Sequence, residues 1–81
     1  MIETQLKAAE SLEARPAALF VQHANKFTSS IKIEIGNKMV NAKSIMGVIA
    51  LGVMDGENIK LIIDGEDEKL ASEELVQFLT K

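Results

Sequence analysis

Hydrophobic and polar positions alternate at the start of the chain. Ile2, Thr4 and Leu6 fall on one side of an extended segment and Glu3, Gln5 and Lys7 on the other, the period of two that a half-buried strand requires. From Ala14 the period changes: Ala17, Phe20, Val21, Ala24 and Phe27 recur at the spacings of one helix face, with Arg15, Gln22 and Lys26 opposite. Pro16 suits the first turn of this helix, where its missing N–H would have had no partner. Ile31, Ile33 and Ile35 then alternate with Lys32 and Glu34, and Gly36-Asn37 separates them from Lys38-Met39-Val40-Asn41. This pattern predicts two strands joined by a two-residue loop, with positive φ supplied by Gly36 and tolerated by Asn37. Ser44 and Gly52 bracket Ile45-Met46-Gly47-Val48-Ile49-Ala50-Leu51 as the N-cap and the stop of a short helix. Asp55-Gly56 forms a turn before a strand over 58–64, with Ile59, Leu61 and Ile63 in phase. After Gly65, Asp67 is positioned to cap a last helix that gathers Ala71, Leu75, Phe78 and Leu79 on one face, with Glu68 in its electropositive first turn.

The predicted order is β-α-β-β-α-β-α, without linker, repeat or low-complexity stretch. One sheet with helices on a single face buries all these stripes and leaves Lys32, Glu34 and Lys60 on a wet face. The expected fold is therefore α+β and forms one domain over residues 1–81. A chain of 81 residues supports one modest core and no deep cleft between domains. The absence of Cys removes disulfides, thiolate metal sites and thiol nucleophiles, and a single His removes a His-only metal cluster. No cofactor is implied. Neither a basic, apolar leader nor a segment of membrane-spanning length is present, so a soluble cytoplasmic protein is expected. The net charge of −3 is uneven: residues 1–53 hold six basic and four acidic side chains, residues 54–81 three basic and eight acidic. Neither part is basic enough to suggest direct nucleic-acid binding, and Trp and Tyr are absent.

Chemistry concentrates at two helix starts. Val48 and Leu51 can point inward from the short middle helix, leaving Ile45, Met46 and Ile49 on another flank. That flank is either enclosed core or an exposed docking patch to which Met lends adaptability. Ser44 is either a plain N-cap or a site at which a phosphate would meet free N–H groups and the positive end of the helix dipole, beside Lys43. Glu13 and Arg15 flank the other helix start. Arg15 would form an anion-binding fork near Glu13 and Ser44 if the two helix starts meet in space. His23 has no carboxylate at i±3 or i±4 to orient it and reads as a surface helix residue. Glu66-Asp67-Glu68 lacks the spacing of a calcium loop. Nothing assembles a catalytic site, and the chain is expected not to be an enzyme.

Two blocks carry a resemblance: Leu12-Glu13-Ala14-Arg15-Pro16-Ala17, and Lys38 to Val48 with the run Asn41-Ala42-Lys43-Ser44-Ile45-Met46-Gly47. The chain resembles the HPr family of small phosphocarriers of the bacterial sugar phosphotransferase system, in length and element order throughout. The resemblance implies an open-faced β-sandwich, a four-stranded antiparallel sheet with three helices on one face. Family phosphocarriers have their phosphoryl-accepting His just before Ala-Arg-Pro. Here that position is Glu13, and Ser11 stands where a Gly is usual. The second block is similar to the family's regulatory-serine signature.

The chain is thus similar to the catabolite-repression branch, which lacks the carrier His and keeps the Ser. The resemblance implies phosphorylation of Ser44 by HPr kinase/phosphorylase, then binding as corepressor to a LacI-type catabolite control protein. It makes Ile45, Met46 and Ile49 the docking patch, completed by Arg15, Ala18 and Leu19. Glu13 is either a neutral surface replacement or a residue whose charge partly imitates a phosphorylated His. The alternatives are an atypical phosphocarrier using Glu13 or His23, and a binding module that regulates a metabolic enzyme. The oligomeric state is open, with the short first strand a candidate for exchange between chains.

Overall fold

The structure is a computed structural model that describes residues 1–80. Strand β1 (Ile2–Lys7) is followed by helix α1 (Ala14–Ala24), strands β2 (Ser30–Ile35) and β3 (Lys38–Asn41), helix α2 (Ile45–Leu51), strand β4 (Asn58–Asp64) and helix α3 (Glu68–Thr80). The four strands form one antiparallel sheet in the order β1-β4-β2-β3. Register follows from the hydrophobic pattern, because a one-residue slip would turn every apolar side chain into solvent. Ile63 pairs with Ile2 on one side and Ile31 on the other, Leu61 with Thr4 and Ile33, and Ile59 with Leu6. Ile31, Ile33, Ile59, Leu61 and Ile63 are buried beneath Ala17, Phe20 and Ala24 of α1, Val48 and Leu51 of α2, and Ala71, Leu75 and Leu79 of α3. On the open face, Lys60 Nζ lies 3.3 Å from Glu3 Oε1 across the β1–β4 pair.

The one-sided α+β sheet predicted from the pattern, and the open-faced sandwich implied by the resemblance, are what is observed, with three local differences. Helix α1 ends at Ala24, and Phe27 reaches the core through a tightened turn in which Lys26 N–H donates to the His23 carbonyl (3.2 Å) and Phe27 N–H to that of Ala24 (3.3 Å). In the β2–β3 loop only Gly36 has positive φ, at 59°. Asn37 does not share it, the pattern of a II′ rather than a I′ turn.

The third difference concerns Asp67. Its carboxylate turns away from its own helix and accepts from the N–H groups of Thr28 (2.9 Å) and Ser29 (3.0 Å) and from the Ser29 hydroxyl. These donors, the Ser29 hydroxyl first, hold the Asp67 carboxyl below its usual range. Glu68 supplies the local contact instead, accepting from Gly65 N–H at 3.1 Å.

Candidate functional site

Helix α2 has few residues with which to satisfy its own ends, and both caps are local. Ser44, extended at φ −105° and ψ 115°, accepts from Gly47 N–H at 3.2 Å through Oγ. Gly52 closes the helix in the left-handed region at φ 71°. A Cβ at Gly47 would lie 3.4 Å from both Ser44 Oγ and Val40 Cβ, so glycine leaves the hydroxyl unobstructed on that side. Ser44 is exposed, and its hydroxyl proton has no acceptor among the described residues. Beside it, Ile45 is 41% exposed, Met46 76% and Ile49 44%, while Val48 and Leu51 are buried. Of the two readings of this flank, exposed apolar surface is the one observed.

The segment before Ser44 is pinned at every polar atom of Lys43. Its N–H donates to Asn41 Oδ1 (2.9 Å), its carbonyl accepts from Asn25 Nδ2 (3.3 Å), and its Nζ donates to the Phe27 carbonyl (2.6 Å). Asn25 Nδ2 also donates to the Val21 carbonyl at 2.9 Å. The start of α2 therefore lies against the end of α1. The opposite ends meet as well, since Leu12 N–H donates to the Val53 carbonyl (2.9 Å) and Asp55 N–H to Ser11 Oγ (3.1 Å). Helices α1 and α2 accordingly run antiparallel, and their starts do not meet. The anion fork that would join Arg15 and Glu13 to Ser44 is not formed.

Glu13 is exposed at the start of α1 and makes no side-chain cap bond, and Ala14 after it takes φ 48°. Arg15 is exposed and makes no ion pair among the described residues. Arg15, Pro16 and Leu19 line an open groove of about 380 Å³ with Glu10 and with Phe78 of α3. Ala18 is half-buried on the other flank, one face with Asn25 and hence toward α2. The six residues expected to form a docking surface thus span the exposed ridge of α1, from α2 on one side to the α3 groove on the other.

Two features escape the sequence pattern. His23 does have a carboxylate partner, from α3: Nδ1 lies 3.0 Å from Glu74 Oε2, with Lys26 Nζ 2.8 Å from the same oxygen and the Phe78 ring centroid 5.1 Å from the imidazole. The hydrogen bonds from Lys26, then His23, hold the Glu74 carboxyl below its usual range. The other is the pinning of Lys43, for which Asn at the end of a helical stripe is the only local signal. No cluster of three or more metal-ligating side chains occurs among the described residues, and no helix is long and apolar enough to cross a membrane.

Residues 2–81 match the family described as the PTS HPr component phosphorylation site. The HPr-like protein Crh of Halalkalibacterium halodurans is 53% identical over 83 residues, covering 100% of this chain and 99% of that one. The crystal structure of HPr-C-His from Thermoanaerobacter tengcongensis superposes with a TM-score of 0.92 at 49% identity, covering 98% of this chain and 91% of that one. Bacillus subtilis Crh, whose crystal structure is described as a domain-swapped, intertwined dimer, gives a TM-score of 0.78 at 51% identity, over 96% of this chain and 87% of that one. The chain belongs to the HPr family and, within it, to the Crh-like branch named for catabolite repression.

Proposed function

We propose that this protein is a regulatory HPr-like protein of carbon catabolite repression, switched by phosphorylation of Ser44. HPr kinase/phosphorylase would transfer the γ-phosphoryl group of ATP to Oγ, with ADP leaving and the hydroxyl proton passing to a base on the kinase. The product would bind a LacI-type catabolite control protein as corepressor, with no direct contact to DNA required of this chain. The observation that carries the reading is an exposed serine hydroxyl at a helix start, flanked by three exposed apolar side chains. A phosphate adds about −1.5 to −2 charge there, where a helix dipole favours it. Ile45, Met46 and Ile49 supply apolar contact area, and Arg15 adds charge-dependent selectivity. Glu13 supports regulation over phosphotransfer, since a carboxylate cannot form a phosphohistidine.

The test is incubation with ATP and the cognate kinase, followed by location of the phosphate by mass spectrometry and calorimetry against the control protein. Phosphate on Ser44 and tighter binding are expected; modification absent from Ser44 overturns the reading. Acid-labile phosphate on Glu13 or His23, after incubation with phosphoenolpyruvate and the general phosphotransferase enzyme, would instead mark a phosphocarrier.

A further inference from the structure

We infer that Asn25 and Lys43 are positioning residues for phosphoryl transfer to Ser44, holding its hydroxyl in place by tethering residue 43 to the end of α1. The inference rests on the phosphorylation reading and adds to it which residues make the acceptor competent.

Residues 43 and 44 lie in a connection between β3 and α2, where an exposed backbone ordinarily moves more than the elements it joins. Here the connection is fixed at three atoms of one residue. Lys43 N–H is held by Asn41, its carbonyl by Asn25, and its ammonium by the Phe27 carbonyl. Ser44 N–H in turn donates to the Asn41 carbonyl at 3.1 Å. Asn25 is itself fixed, because its backbone N–H and its side chain both donate to the Val21 carbonyl at 2.9 Å. The peptide that delivers Ser44 is thereby attached to a helix whose Ala17, Phe20 and Ala24 are fully buried.

This arrangement assigns Lys43 a role other than neutralising the phosphate. Its ammonium is directed at the Phe27 carbonyl; being protonated it cannot be the base for the Ser44 proton, and what that bond adds is a fixed position for residue 43. The Gly47 N–H faces Oγ, at 3.2 Å. What the tether contributes is placement, and a displacement of about 1 Å at a reacting atom costs up to about a hundredfold in rate.

The experiment measures steady-state phosphorylation of full-length wild type, Asn25→Ala, Lys43→Met and Lys43→Arg by the kinase with ATP, reading kcat and KM separately. Amide hydrogen exchange at Gly47 and thermal unfolding are followed in parallel. Asn25→Ala keeps the Lys43 charge, so its loss of rate is positional. Both Asn25→Ala and Lys43→Met should lower kcat at Ser44 by tenfold or more, speed Gly47 exchange and leave KM within about twofold, since Ile45, Met46 and Ile49 are untouched. Lys43→Arg, which can still reach the carbonyl, should recover most of kcat. Wild-type kcat in Asn25→Ala, or a loss confined to KM, overturns the inference while the regulatory reading stands. Failure of the wild type itself to accept phosphate on Ser44 overturns both.

Discussion

Ala14 occupies a backbone region that L-residues avoid, at φ 48°, directly after the exposed Glu13. Steric conflict of Cβ with the backbone there costs about 1–2 kcal/mol, more than glycine loses through the greater freedom of the unfolded chain. Ala14→Gly should therefore raise stability by about 0.5–1 kcal/mol, read as a higher urea midpoint at unchanged slope. Glu13 next to it is free of capping duty, so its charge is available to a partner. Glu13→Gln should change affinity for the kinase or the control protein without changing stability. Equal affinities for both proteins by calorimetry would exclude a role for that charge.

Helix α2 has one buried and one exposed apolar face. Val48 and Leu51 secure it to the core, and Met46, 76% exposed, contributes little to that anchoring. Met46→Asp should leave the unfolding midpoint within a few degrees and weaken binding of the Ser44-phosphorylated protein to the control protein by at least tenfold, as loss of a central apolar contact does. Nearly all of this helix was legible in the sequence, because Ser44, Gly47 and Gly52 act on backbone groups within a few residues. The sheet was legible for a similar reason, its alternation being fixed by the pleat. Contacts between elements were not legible. Asp67 carries the signature of a cap, yet two N–H groups and a hydroxyl from the segment before β2 outcompete its own helix. His23 finds Glu74 fifty-one positions away, beyond any local spacing rule. The separation of the helix starts depends on the direction in which α1 and α2 pack, and neither stripe encodes it.

At the scale of the whole molecule, acid should loosen the attachments of α3 to the rest of the fold. The carboxyls of Asp67, Glu68 and Glu74 are all held below their ordinary values, by Ser29, Gly65 and Lys26 respectively in the first place. Each contributes stability that is present above its unfolded value, near 3.8 for Asp67 and 4.5 for the glutamates, and is lost as pH falls through the lower folded value. Thermal midpoints should hold from neutral pH to about 5 and decline below that. Asp67→Asn should lie below wild type at pH 7 and converge with it as pH falls below 3.8 and through the lowered folded value, as protonation of the wild-type carboxyl removes the same advantage. A constant gap across that range would refute the assignment.

The opposed directions of α1 and α2 bear on how signals combine. Positions 13 and 44 are separated by roughly the length of the helices between them, about 10–16 Å, which exceeds the screening length of about 8 Å at physiological salt. A change at one position is scarcely felt at the other, and a partner covering the ridge reads their sum. The effects of Glu13→Gln and of Ser44 phosphorylation on its affinity should multiply, with no coupling in a double-mutant cycle. Under the proposed function, residue 13 and Ser44 would act as two independent dials on one surface, and a change of chemistry at residue 13 would leave control through the serine intact.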